Sequence, residues 1–199
     1  MKNIFSLTLG IILLIIILSF ISLLSSYDYN TLFYSYSSDS NFNNNTYYFS
    51  NSEFFWPVPG YHTITSYFGK RTSPASGAST NHSGIDIAAN EGASIFSILS
   101  GTVIYTGFYG ANGHTVIIKT NSFSIQYSHI SPNYLVSVGD FIEKGNVIAK
   151  VGPKYITDIA NNPYKDSFGK TTNGATTGPH LHLTIKENDI PINPLEFFN

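Results

Sequence analysis

Thr177-Gly178-Pro179-His180-Leu181-His182-Leu183 reads as the start of a β-strand. The two histidines alternate with leucines, so both imidazoles face one side while Leu181 and Leu183 face the core. Far upstream, Asn81-His82-Ser83-Gly84-Ile85-Asp86-Ile87 has the same character. There His82, Gly84 and Asp86 are expected to share one face of a single extended segment, with Ile85 and Ile87 on the other. Gly84 is expected to leave a gap across which an imidazole and a carboxylate lean toward one ion.

Two histidines and one carboxylate, with no further obvious protein ligand, have the composition of a catalytic zinc site, which keeps its fourth position for water. A structural zinc site would be closed, and in a small soluble domain it would usually draw on cysteines. This chain has none. Water on such a metal is acidified toward about pKa 7 and can attack a carbonyl that the metal polarises, so hydrolysis is the natural reaction.

From Trp56 to its end the chain resembles the lysostaphin-type (LytM-type) zinc endopeptidases, which cut the peptide part of bacterial peptidoglycan. The family pattern H-x-x-x-D stands here as His82…Asp86, and its downstream H-x-H stands within Gly178-Pro179-His180-Leu181-His182. A histidine in a Tyr-x-His-Ile setting appears as Tyr127-Ser128-His129-Ile130. A looser upstream pattern appears as Trp56-Pro57-Val58-Pro59 and Ser66-Tyr67-Phe68-Gly69-Lys70-Arg71. The resemblance implies that His82, Asp86 and His182 ligate Zn2+. It makes His129 and His180 the unligated pair that orients water and stabilises the tetrahedral intermediate. Each histidine taken alone reads more simply as a surface group, and it is the set at these spacings that points to a site. His62 and His114 lack such spacing and are expected to be structural or exposed.

Between Tyr61 and Ile185, short alternating runs are broken by turn residues. Strands are expected at Ile95–Ile98, Thr102–Tyr105, Thr115–Ile118, Ser124–Tyr127 and Val147–Lys150. No segment sustains a helical period, although Tyr134 to Gly139 is ambiguous. The expected fold is mainly β, with antiparallel sheets forming an open barrel or sandwich. Val138 to Ile148 also resembles a segment of biotinyl and lipoyl carrier domains. Carriers typically place methionine beside the modified lysine, and the only methionine here is Met1, so this stretch reads as a β-hairpin. Pro153 to Asn173 departs from the family's short passage into the histidine motif. Leading directly into that motif, it reads equally as a wall of the substrate groove or as a surface excursion.

Ile4 to Leu24 is an almost unbroken apolar run of about the ~20 residues that cross a bilayer as a helix. The exit Leu23-Leu24-Ser25-Ser26 fits signal cleavage poorly, so residues 1–26 read as one N-terminal transmembrane helix, a retained anchor preceding the β domain; secretion after cleavage is the alternative. Lys2 before the run keeps the amino terminus inside and the domain extracytoplasmic, on a single-pass membrane protein. Residues 27–53 are rich in Ser, Asn and Tyr with almost no charge, too poor in aliphatic residues to fold, and read as a disordered linker with a reach on the order of 30 Å. Residues 54–199 are expected, from the resemblance, to form the zinc metallopeptidase domain. A net charge of −2 with only 11% charged residues argues against nucleic acid as a partner. The expected partners are peptidoglycan peptides and, through the anchor, the cytoplasmic membrane. The rival reading, a catalytically silent wall- or partner-binding module of the same fold in division or sporulation, fits less well because such modules typically lose metal ligands.

Overall fold

The structure, a computed structural model, describes residues 54–198. The expected anchor at 1–26 and linker at 27–53 lie outside the described residues. No helix among the described residues is long and apolar enough to cross a membrane.

Among the described residues, twelve strands make up nearly all the regular structure: β1 (Ile64–Ser66), β2 (Gly69–Lys70), β3 (Asn81–His82), β4 (Ile85–Ala88), β5 (Ser94–Phe96), β6 (Gly101–Phe108), β7 (His114–Lys119), β8 (Phe123–Ser128), β9 (Phe141–Ile142), β10 (Val147–Lys150), β11 (His180–Glu187) and β12 (Ile190–Ile192). The only helical pieces among the described residues are single 3-10 turns at Gly110–Asn112 and Pro194–Phe197. The expectation of a mainly antiparallel β fold is met, and the main sheet is open. Its order is β1-β4-β11-β8-β7-β6-β9, with β12 added beside β11; β10 pairs β5 and β2 pairs β3 in two small ribbons. Tyr134 to Gly139 forms turns and no helix.

Alternation assigns the two faces of the main sheet. Ile85 and Ile87 on β4, Val116 and Ile118 on β7, Ile125 and Tyr127 on β8, and Leu181, Leu183 and Ile185 on β11 enter one core. Ile95, Ile98 and Ile148 join the same cluster, and the buried Tyr127 hydroxyl accepts the Ile98 N–H at 2.9 Å. Burial of each such aliphatic side chain contributes roughly 1.5–3 kcal/mol. The opposite face carries Asp86, Gln126, Ser128, His182 and Thr184, polar groups that are nevertheless buried. Ser128 Oγ accepts from both Thr115 Oγ1 (3.1 Å) and Gln126 Nε2 (2.9 Å), so this polar layer is internally bonded.

Two local expectations are corrected. Val138 to Ile148 is not a hairpin: β9 pairs with β6 and β10 with β5, in different sheets. A tight turn, with Asn146 N–H donating to Glu143 and Gly145 in the left-handed region at φ 83°, redirects the chain onto Ser97. Likewise His82 and Asp86 do not lie on one strand. β3 pairs with β2, β4 joins the main sheet, and the chain bends between them at Ser83-Gly84. Glycine is needed at 84 for close approach: a Cβ there would stand 2.1 Å from the Leu183 carbonyl oxygen and 2.8 Å from Thr184 Oγ1. The space it leaves is filled by the backbone of β11, and no gap opens toward an ion.

Replacing Gly84 by Ala is therefore expected to force β4 off β11 and cost about 3 kcal/mol or more. Chemical denaturation of the purified variant checks this, with a lowered midpoint as the expected result.

Candidate metal centre

Register across the main sheet brings the site together. On β4 and β11, Asp86 stands opposite His182, and on β11 and β8, His182 stands opposite Ser128. His129 follows Ser128 directly, and β3 returns His82 to the same point. His82 Nε2 lies 2.9 Å from His182 Nδ1 and 3.2 Å from Asp86 Oδ1, while His182 Nδ1 is 2.8 Å from Asp86 Oδ1. All three residues are buried. Tetrahedral coordination at the usual zinc bond lengths of about 2.0–2.2 Å separates neighbouring donors by roughly 3.4 Å, so this triangle needs only slight expansion to hold the ion.

The outward-facing atoms of the three residues show which way their lone pairs point. His82 Nδ1–H donates to the Tyr67 carbonyl at 2.9 Å, which leaves Nε2 as the lone-pair nitrogen. His182 Nε2 faces Thr184 Oγ1 at 3.0 Å, an available acceptor, and turns Nδ1 inward. Asp86 gives Oδ2 to Arg71 Nη1 at 3.0 Å and keeps Oδ1 for the centre. Such outer bonds orient and strengthen metal ligands, and the donor set of two imidazoles and a carboxylate suits Zn2+.

The other two histidines stand beside this triangle. His180 Nε2 is 3.6 Å from Asp86 Oδ1, and the ring centroids of His129 and His180 are 4.7 Å apart. Each has its tautomer fixed by a backbone carbonyl: His129 Nδ1–H donates to Asn173 O at 2.7 Å, and His180 Nδ1–H to Gly178 O at 2.8 Å. Nε2 is thus the nitrogen of each ring left to accept a proton. His129 holds its place in the left-handed region, at φ 58°, a costly conformation for a residue with a side chain. Its N–H donates to Asn112 O and its carbonyl accepts from Gly152, which pins the backbone on both sides.

All five histidine and aspartate residues singled out in the sequence meet here. His62 is exposed and stacks on Trp56. His114 is buried, with Nδ1 2.6 Å from the Tyr134 hydroxyl and Nε2 3.0 Å from Asp158 Oδ2, and takes no part in the triangle. Sequence reasoning missed Asn173. Wholly buried, it accepts the His114 N–H on Oδ1, donates from Nδ2 to Ile130 O and offers its own carbonyl to His129. Thr172-Asn173-Gly174 looks like an ordinary turn, and no local signal separates it from one.

Burial pushes the Asp86 carboxyl up, but the imidazoles of His182, His82 and His180 crowded against it outweigh burial and hold the group far below the usual carboxylate range. Burial pushes His129 well below its ordinary value, with the neighbouring imidazoles adding to the effect. It lowers His182 too, only partly opposed by Asp86. The site is thus built to keep a carboxylate charged and its deepest imidazoles neutral.

Residues 80–163 match the sequence profile of Peptidase family M23. Residues 80–163 carry this family's domain. The M23 domain is 30% identical over 136 residues to the DD-carboxypeptidase/endopeptidase Mpg of Neisseria meningitidis serogroup B, an alignment covering 68% of this chain and 27% of that protein. Among solved structures, a zinc containing peptidase from Vibrio cholerae superposes with a TM-score of 0.54 at 30% identity, over 69% of this chain and 37% of the other. The catalytic domain of the antimicrobial peptidase lysostaphin from Staphylococcus simulans shares the fold, with a TM-score of 0.53 at 24% identity over 69% of this chain and 91% of that one.

The depressed histidines give the M23 domain a defined pH response. A group whose pKa is lower folded than unfolded stabilises the fold above the unfolded value and loses that contribution as pH falls through it. For His129 and His182 the loss begins below their ordinary 6.5; for Asp86 it begins only below 3.8. In a chelator, urea midpoints are expected to fall between about pH 7.5 and about pH 5. A His129→Asn variant should show a shallower fall over that interval.

Proposed function

We propose that this protein is a zinc-dependent endopeptidase that hydrolyses peptide bonds in bacterial peptidoglycan, held at the outer side of the cytoplasmic membrane by residues 1–26. One observation carries the reading: three inward lone pairs from His82, Asp86 and His182 lie beside two further imidazoles, each with Nδ1–H locked to a carbonyl and Nε2 left free. A purely structural metal would need no such pair. The family's domain and the chain's similarity to peptidoglycan DD-endopeptidases of Vibrio cholerae support the peptidoglycan substrate.

In this reading His82 Nε2, Asp86 Oδ1 and His182 Nδ1 hold the ion. Bound zinc would supply Lewis acidity toward the substrate carbonyl and acidify water. His129, buried and neutral, accepts a proton on Nε2 as water adds to the carbonyl and returns one to the departing amine. His180, less buried, presents Nε2 to the developing oxyanion and donates to it when protonated. Arg71 spreads the Asp86 charge and fixes the carboxylate so that Oδ1 faces the centre. Asn173 acts through His129 as a positioning residue.

Anchoring rests on the apolar run Ile4 to Leu24 behind Lys2, and the tether on residues 27–53. A single-pass protein with its domain outside the membrane would meet the wall directly.

The zinc-loaded full chain in detergent should release fragments from at least one peptidoglycan chemotype, and a chelator should stop it. His182→Ala should lose zinc, whereas His180→Ala should retain it and lose about a hundred-fold or more in turnover. Metal analysis alongside fragment mass analysis checks both; binding without release by the zinc-loaded wild type would favour a silent module.

The native protein should fractionate with membranes, and external protease given access through the wall should remove the domain. A soluble product beginning near Ser25 or Ser26 would show a cleaved signal instead.

A further inference from the structure

Residues 153–172 separate Val151-Gly152 from Asn173-Gly174 by a built segment. Tyr155 bridges to Thr172 and Lys165 to Thr171 in antiparallel fashion. The buried Asn162 donates to the Thr172 carbonyl at 2.8 Å, and Asp158 reaches back to His114 at 3.0 Å. On its other side the segment meets the loop around Gly77, where an added Cβ would lie 2.9 Å from the Tyr164 ring. Between these walls is a cavity of about 370 Å³, lined among others by Pro74, Ser76, Lys154, Lys165, Thr176 and Thr177. That volume lies at the small end of the ligand-pocket range. Thr176 Oγ1 is 3.4 Å from His180 Nδ1, so the cavity adjoins the metal centre.

The lining carries a net positive charge, with Lys154 and Lys165 against the single carboxylate of Asp166. Asp166 also borders the cavity, but its carboxylate is already engaged: Oδ2 accepts from the Tyr155 hydroxyl at 2.9 Å, and Oδ1 from the N–H groups of Phe168 and Lys170 at 2.9 and 3.0 Å. The Lys154 ammonium lies 4.8 Å from the Tyr155 ring centroid. Lys165 is exposed, and no carboxylate pairs with it among the described residues. Lys154 and Lys165 line the cavity together with the hydroxyl-bearing Ser76, Ser167 and Thr177, a set of side chains rich in donors for a small anion. On a peptide threaded past His180, the anion that can enter is a carboxylate.

Building on the peptidase reading, the geometry points to this cavity as a subsite for a free carboxylate on the substrate peptide, close to the scissile bond and bound by Lys154 and Lys165. The segment 153–172 then sets specificity: it favours substrates whose carboxylate at that position is free over those in which it is amidated. Partial exposure keeps the effect modest, on the order of five- to ten-fold in binding.

Cross-linked muropeptide dimers, matched except that the diamino-acid carboxylate is free or amidated, test this on the full chain in detergent. Calorimetry in a chelator reads binding without turnover, and hydrolysis with zinc restored reads KM and kcat separately. The free acid is expected to bind several-fold tighter and show the lower KM. The double variant Lys154→Gln/Lys165→Gln should erase that difference by weakening binding of the free acid, and Lys165→Glu should reverse the preference. Hydrolysis of both dimers with equal KM, or a variant that weakens both alike, overturns the subsite and leaves the peptidase reading standing. Preferential binding of the free acid keeps the subsite even where neither dimer is cleaved, and the peptidase reading falls only if no peptidoglycan chemotype is cleaved either; absence of binding overturns the subsite.

Discussion

The contact between β4 and β11 at Gly84 is the constraint on which the site depends. Only a residue without a side chain lets the chain press to the Leu183 carbonyl, and that approach sets Asp86 opposite His182 across the ladder. Strand pairing fixes positions far better than loops do, because a shift of one residue would send every buried leucine and isoleucine to the wrong face. The apolar alternation that builds the core thus holds two of the three inward donors in place. His82 reaches them from a separate ribbon, just before the bend at Ser83-Gly84.

A second layer of order lies in the backbone carbonyls. Tyr67, Asn173 and Gly178 each accept an Nδ1–H and so decide the tautomer of His82, His129 and His180. Thr184 stands in the equivalent place for His182, on the other ring nitrogen. A carbonyl can only accept, so these contacts assign protons without ambiguity. The result is a cluster of imidazoles crowded around one carboxylate, in which every ring has a defined inward nitrogen. The neutral state of His129 follows from burial and from its neighbours, and it suits a group that must take up a proton.

Asn173 joins this centre to the segment before it. Its side chain ties the backbones of His114 and Ile130 together while its carbonyl orients His129. The left-handed backbone at His129 is tolerated because Asn112 and Gly152 hold both sides of it. The long insertion therefore does not hang free of the site. It ends on the residue that positions one of its imidazoles, and Asp158 within it reaches a buried histidine of β7.

Much of this was legible in the sequence because period-two alternation is a local property. His180-Leu181-His182-Leu183 declares a strand with two imidazoles on one face, and the flanking runs declare an antiparallel β fold. The spacing of His82, Asp86, His129, His180 and His182, read with a family resemblance, marked the residues that meet. Pairing partners were not legible, since register depends on residues distant in sequence: Val138 to Ile148 looked like a hairpin and instead feeds two sheets. Nor could local pattern assign Gly84 to a backbone contact with β11, Asn173 to His129, or Thr184 and three carbonyls to their imidazoles. Those roles exist only once strands remote along the chain lie side by side, because hydrogen bonds and close backbone approach are decided by distance in space.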